Sequence, residues 1–228
     1  MDNATRLQYL EAMGIDVWVP RTSANHEQAS TLDVIADSAR PEPADSWEAL
    51  QAEVAQCTKC GLCETRTHAV FGSGNKNADW MFIGEAPGQS EDLQGLPFVG
   101  KAGQLLTEML RAIGLDREQV FITNIVKCRP PANRDPKPIE IETCKPYLLR
   151  QIALVKPKII VVLGRIAAQA QLNTDEPIGK LRGKIHALND TPLVVVYHPA
   201  YLLRSLLDKR KAWSDLKLAM QTVKNIKG

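Results

Sequence analysis

Trp80-Met81-Phe82-Ile83-Gly84-Glu85-Ala86-Pro87-Gly88 is the stretch that decides the fold. Four consecutive apolar residues end at Gly84 and give way to a polar, turn-rich segment, the pattern of a buried strand feeding a loop. Successive side chains of a strand point to opposite sides, so a run that is apolar at every position is covered on both faces. Three further runs repeat the pattern: Val120–Thr123, Ile159–Leu163 and Leu193–Tyr197. Helix signals fall between and after them, over Ala102–Ile113, from Pro138 toward Val155, from the turn at Gly164 through Leu172, and from Lys209 to about Val223. Strands that alternate with helices predict a mostly parallel sheet in an α/β layer fold. In such folds binding and catalysis gather at the carboxyl ends of the strands.

Those ends carry the residues of interest. The first strand runs into Gly84-Glu85-Ala86-Pro87-Gly88, the second into Asn124 and then Cys128-Arg129-Pro130-Pro131, and the fourth into His198-Pro199-Ala200-Tyr201-Leu202-Leu203-Arg204. Turn residues at one loop need no functional explanation. Three such loops converging on one sheet edge predict a site.

Bulk properties bound the rest. A chain of 228 residues with 44% hydrophobic side chains supports one sizeable core and a tail. With 28 basic and 26 acidic residues the formal charge is +2, so any nucleic-acid contact must rest on locally concentrated positive charge. No apolar run is long enough to span a bilayer, and the N-terminus has no signal-peptide core, so a cytoplasmic protein without membrane contact is expected. Residues 1–21 read as an amphipathic peptide, with Leu7, Leu10 and Met13 at helical spacing and Gly14 as a stop. Residues 22–45 are polar and end near Pro41 and Pro43, the composition of a flexible linker. The compact domain is expected over 46–228, opened by Ser46 as the N-cap of a helix Trp47–Gln56.

Five cysteines in such a chain suggest metal binding or plain burial before disulfides. Cys57, Cys60 and Cys63 form C-x2-C-x2-C, and Cys128 and Cys144 lie far along the chain. Thiolates two residues apart can close on one cation. Spacing leaves three arrangements open: a ferredoxin-like use of the first three cysteines, a zinc site on four thiolates, and a [4Fe–4S] cluster on one pair plus two distant partners.

Four motifs, taken together, carry a family resemblance. Gly84-Glu85-Ala86-Pro87-Gly88-Gln89-Ser90-Glu91-Asp92, Pro97-Phe98-Val99-Gly100-Lys101-Ala102-Gly103, Thr123-Asn124-Ile125-Val126-Lys127-Cys128-Arg129-Pro130-Pro131 and His198-Pro199-Ala200-Tyr201-Leu202-Leu203-Arg204 resemble the family 4 uracil-DNA glycosylases in order and spacing. The resemblance implies a three-layer α/β/α sandwich with a four-stranded parallel sheet. It implies base-excision repair: uracil is flipped out of DNA and its N-glycosidic bond is hydrolysed. It implies a structural [4Fe–4S] cluster held by Cys57, Cys60, Cys128 and Cys144, with Cys63 spare as a small buried hydrophobe.

The same resemblance gives the site residues. Gly84, Ala86, Phe98, Asn124 and His198 are expected to bind the base. Phe98 would stack on it, the Asn124 amide would donate to O4 and accept from N3–H, and a neutral His198 would donate to O2 as charge develops there. Ala86 stands where better-known uracil-DNA glycosylase families carry a water-activating side chain, which leaves Glu85 and Glu91 as the nearby carboxylates. His198, Glu85 and Glu91 are therefore the expected catalytic residues, with Glu91 also readable as a turn-capping acid. Tyr201, Leu202 and Arg204 are expected to contact DNA, an apolar side chain filling the gap left by the flipped base and Arg204 holding a phosphate. Lys101, Lys127, Arg129 and Arg134 offer further positive charge.

Uracil-containing DNA is the expected partner, and the protein is expected to act as a monomer. Residues Thr5–Trp18 look like the N-terminal peptide of the psi subunit of the bacterial clamp loader, which implies a tether to the replication machinery through Trp18. The same residues also suit a helix packed on the domain. Two other classes compete: a noncatalytic iron–sulfur or zinc protein that binds nucleic acid, and a small-molecule α/β enzyme. The first leaves Phe98, Asn124 and His198 unexplained, and the second lacks a G-x-G-x-x-G or P-loop signature.

Overall fold

The computed structural model of the chain describes residues 46–227. The expected amphipathic peptide of residues 1–21 and the linker of residues 22–45 lie outside the described residues.

The expected buried runs form the centre of one sheet. Its strands are β1 (Ser73–Gly74), β2 (Trp80–Gly84), β3 (Phe121–Asn124), β4 (Ile159–Leu163), β5 (Ile185–Leu188) and β6 (Thr191–Val196), in the order β1-β3-β2-β4-β6-β5. The four central strands are parallel, as the runs of apolar residues require. The expected count of four is corrected to six by antiparallel strands at each edge, β1 on β3 and β5 on β6. These lack the signal that reveals the others. One is two residues long, and the other alternates exposed and half-buried positions.

Alternation along the central strands divides the core into two layers. Met81, Ile83, Phe121, Ile160, Val162, Leu193 and Val195 face one side. They meet Leu50 and Val54 of α1 (Trp47–Ala55), Tyr147, Leu148 and Ile152 of α4 (Pro138–Val155), and Ala167 of α5 (Arg165–Leu172). Phe82, Ile122, Val161, Leu163, Val194 and Val196 face the other side. They meet Leu106 and Leu110 of α3 (Lys101–Ala112) and Ala212, Leu216 and Ala219 of α8 (Lys209–Lys227). Each fully buried aliphatic or aromatic side chain stabilises the fold by roughly 1.5–3 kcal/mol. The result is the expected α/β/α sandwich.

Shorter helices complete the chain: α2 (Gln89–Gln94), α6 (Ile178–Leu181) and α7 (Pro199–Leu202). Ser46 caps α1 as expected, its Oγ accepting the Ala49 N–H at 3.1 Å. No helix among the described residues is long and apolar enough to cross a membrane.

From β2 the chain passes to β3 on one side and later to β4 on the other. The connections therefore leave the sheet on opposite faces. The crevice at the carboxyl ends of these strands is where such folds bind ligands.

Candidate active site and cysteine cavity

A cleft of about 480 Å³ opens at that crevice. Glu85, Ala86, Phe98, Asn124, His198 and Arg204 are among the residues that line it, so the structure brings the sequence-predicted residues together. A volume of that size is ordinary for a ligand pocket.

Asn124 ends β3 and is fully buried. Its Oδ1 and Nδ2 are both enclosed and have no hydrogen-bond partner. Burying an amide without partners costs roughly 1–3 kcal/mol per polar group, so the arrangement calls for a ligand that supplies a donor and an acceptor. Gly84 makes room beside it. A Cβ on Gly84 would lie 2.6 Å from Phe98 Cζ and closer still to Asn124 Oδ1.

Phe98 is buried at the cleft wall with φ +53°, a left-handed conformation that non-glycine residues avoid. Holding it there costs roughly 1–3 kcal/mol, which the surrounding loop must offset. Three residues do so. Arg117 Nη2 donates to the Pro97 carbonyl at 2.9 Å. Glu91 Oε1 accepts the backbone N–H groups of Val99 and Gly100, each at 2.9 Å. Gly103 lets α3 lie against the Phe98 carbonyl, where a Cβ would overlap it. Glu91 is thus engaged in shaping the Phe98 loop, which matches its reading as a turn-capping acid.

His198 follows β6 and caps α7. Its ring is tilted 32° to that of Phe98, with centroids 5.7 Å apart. The Ala200 N–H donates to His198 Nδ1 at 3.1 Å. Gly164, at the end of β4 with φ +97°, leaves space beneath: a Cβ there would stand 3.0 Å from His198 Cβ. Burial in the cleft pushes the His198 pKa down to about 4, and Arg204 adds to the effect against an opposing pull from Glu91. The imidazole is therefore neutral at pH 7. Glu85 is shifted the other way. Desolvation and the charge of Asp135 raise its carboxyl to about 7, against Arg165.

Two expectations at the rim are corrected. Leu202 is 1% exposed and packs in the core against α8, so it presents nothing to DNA. The apolar surface there belongs to Tyr201, Leu203, Leu206 and Leu207, the last 79% exposed. The turn carrying them is fastened by Asp208, whose Oδ2 accepts from Tyr201 OH at 2.6 Å and Ser205 Oγ at 2.7 Å. Lys127 is likewise fully buried rather than a surface charge. Arg134 lines the cleft, but its guanidinium is engaged by both oxygens of Glu140 at 2.9 and 2.6 Å.

All five cysteines line one cavity between α1, α4 and the segment after β3. Cys63 is half-buried in that wall, not a remote core residue. Among the described residues no group of three or more His, Cys, Asp or Glu side chains closes on a single ion. The cavity's donor set is sulfur, and two donors already face it. Arg66 Nη1 donates to Cys128 Sγ at 2.9 Å, and the Lys127 N–H donates to Cys144 Sγ at 3.3 Å. Burial pushes the Cys128 thiol up to about 11 against the opposing pull of Arg66, and metal binding would displace that proton. Thiols gathered around one wall with hydrogen-bond donors behind them are the donor set that an anionic iron–sulfur cluster would need.

Sandwich, crevice and buried amide together define a class. The family model described as the uracil DNA glycosylase superfamily matches residues 71–217, from the start of the sheet into α8. More narrowly, the chain is similar to proteins named type-4 uracil-DNA glycosylase. That of Archaeoglobus fulgidus is 45% identical over 181 residues, covering 76% of this chain and 91% of the archaeal protein. That of Sulfurisphaera tokodaii is 50% identical over 168 residues, covering 70% and 76%. That of Thermotoga maritima is 42% identical over 181 residues, covering 78% and 94%. The chain belongs to the type-4 uracil-DNA glycosylases.

Proposed function

We propose that this enzyme removes uracil from DNA by holding the flipped base in the cleft between Phe98, Asn124 and His198. The observation that carries the reading is the fully buried Asn124 amide, with neither polar atom partnered inside the protein. Uracil offers the complementary edge: O4 accepts from Nδ2, and N3–H donates to Oδ1. Cytosine reverses both and would leave them facing like groups. Phe98 supplies the stacking surface that offsets part of the cost of extrusion.

Cleavage breaks the bond between N1 of uracil and C1′ of the sugar. The electron pair stays with the base, whose charge spreads to O2, and the sugar becomes oxocarbenium-like. His198, with Nδ1 occupied by the Ala200 N–H, carries its proton on Nε2 and donates it as a hydrogen bond to O2. That bond strengthens as the anion forms, so it favours the transition state over the ground state. Water then adds to C1′ and gives its proton to the Glu85 carboxylate, while the departing base takes a proton from solvent. Glu91 acts on the reaction through the loop that presents Phe98. Tyr201 and Leu203 occupy the gap in the duplex and Arg204 meets a phosphate.

Cys57, Cys60, Cys128 and Cys144 hold a [4Fe–4S] cluster that braces the segment after β3 and takes no part in bond cleavage. Residues 1–21 tether the enzyme to the clamp loader through Trp18, raising its local concentration at replication sites. Loss of that binding in Trp18→Ala is the expected result, and unchanged binding refutes the tether.

The test of the main reading is incubation with oligonucleotides carrying a single uracil or cytosine. Alkali-labile sites should appear only at uracil and be lost in Asn124→Ala. Full cleavage by that variant overturns the assignment.

A further inference from the structure

A buried lysine joins the two features described above. Lys127 is 1% exposed, and its ammonium has three acceptors: Thr123 Oγ1 at 2.7 Å, the Asn124 carbonyl at 2.7 Å and Gln151 Oε1 at 2.6 Å. Three protons meet three oxygens, so the group is fully satisfied. The oxygens are themselves fixed. Thr123 Oγ1 and Gln151 Nε2 both donate to the Phe71 carbonyl, at 2.9 and 2.8 Å. The backbone of Lys127 is anchored at the other end. Its N–H reaches Cys144 Sγ, its carbonyl accepts from Val70 N–H at 2.7 Å, and Cys128 follows it in the chain.

Asn124 needs such support from outside its own side chain. Because its amide makes no hydrogen bond in the protein, its aim depends on where the main chain of residue 124 is held. Next to it, the Ile125 N–H bonds the Gly84 carbonyl at 2.9 Å, which sets the register of the segment. The carbonyl of residue 124 itself is taken by Lys127. Burying an ammonium is expensive, and an apolar side chain of similar length fills the same space more cheaply. A charge kept at this position points to a requirement for geometry that packing alone does not meet.

We propose that Lys127 is the positioning residue for Asn124, holding the base-reading amide on target from an anchor in the wall of the cysteine cavity. This rests on the reading of Asn124 as the uracil reader.

The test is a double-mutant cycle on the holoprotein. Binding of an oligonucleotide carrying uracil on a 2′-fluorinated sugar, which resists cleavage, is measured for the parent, Lys127→Met, Asn124→Ala and the double variant. Lys127→Met should weaken binding roughly tenfold in the parent and by less than about twofold when Asn124 is already Ala, because residues that act as a unit are not additive. Visible absorption of the cluster should be unchanged, which separates positioning from loss of the cavity. An equal factor in both backgrounds overturns the proposal and leaves the uracil reading standing. No effect of Asn124→Ala itself overturns the uracil reading. Should Lys127→Met fail to accumulate, Thr123→Val, which keeps the side-chain shape but removes one acceptor, carries the same cycle with the same expected sign. Its additivity with Asn124→Ala overturns the proposal equally.

Discussion

The backbone N–H of Ala200 donates to Nδ1 of His198 at 3.1 Å, and that bond settles which ring nitrogen carries the proton. A neutral imidazole that accepts at Nδ1 is protonated at Nε2. Burial holds the ring pKa near 4, well below its ordinary 6.5. ¹⁵N NMR of the ring should therefore show the Nε2–H tautomer across neutral pH, with no titration until about pH 4. The unfolded chain binds this proton below about 6.5 and the folded one does not until about 4. The contribution to stability is thus full above 6.5 and is lost as pH falls through that window. His198→Ala should lower the rate of base release by about 10²–10³ while leaving DNA binding near the parent level, as removal of a single oxyanion donor does. A ring that titrates near 6.5 contradicts this assignment.

Gly84 is the tightest point of the base slot. A methyl group added there falls between Asn124 Oδ1 and the Phe98 ring, at 2.6 Å from Cζ. Neither neighbour has room to move, since Phe98 is braced by Glu91, Arg117 and Gly103 and Asn124 is enclosed. Gly84→Ala should fold, keep its visible absorption and lose uracil excision by at least about a hundredfold, because small misplacements at a reacting site cost that much. Parent-level activity in a folded Gly84→Ala protein shows that the base does not enter this slot.

The centre of the molecule is readable from four apolar runs because each central strand is covered on both sides. The edge strands are not, since Ser73–Gly74 is too short to leave a pattern and Ile185–Leu188 has one face open to solvent. At the site, the strand ends point to the loops that carry Asn124 and His198, and the roles of Asn124, Phe98 and His198 are legible through the family resemblance of their motifs. The positive φ of Phe98, the clearance at Gly164 and the reach of Lys127 back to its own strand end are not. They depend on tertiary contacts between segments distant in the chain. Leu202 and Leu203 show the limit plainly: two adjacent leucines are alike in sequence, and only the packing of α7 onto α3 and α8 tells which is buried.

Glu85 and Glu91 are separated by their environments. Glu91 accepts two backbone N–H groups, whereas Glu85 faces the cleft with its carboxyl raised to about 7. If ionised Glu85 receives the proton of the attacking water, the rate should rise with pH through about 7, and Glu85→Gln should remove that inflection. Stability runs the opposite way. The folded state holds this proton between the unfolded value of 4.5 and about 7, so the contribution is present at low pH and lost as pH rises through that window. Glu85→Gln should consequently melt at a higher temperature than the parent at pH 8. A pH–rate profile that is the same in both proteins excludes Glu85 from the proton transfer.

All five thiols reach one cavity, so position alone does not tell ligand from bystander. Hydrogen bonding does distinguish two of them: Cys128 accepts from Arg66 and Cys144 from the Lys127 N–H, the support that cluster sulfurs receive in tuned sites. Cys57 and Cys60 open the C-x2-C pair, and Cys63 lies on the short turn Gly61–Glu64 beyond it. On the ligand set that the family resemblance implies, single serine variants purified without exposure to oxygen should fall into two groups. Cys57→Ser, Cys60→Ser, Cys128→Ser and Cys144→Ser should lose iron and visible absorption and melt several degrees lower, because metal binding free energy is folding free energy. Cys63→Ser should keep both iron and melting temperature. If Cys63→Ser is colourless while one of the other four retains its iron, the cluster sits on a different set of four sulfurs, and the brace behind Asn124 must be redrawn around that set.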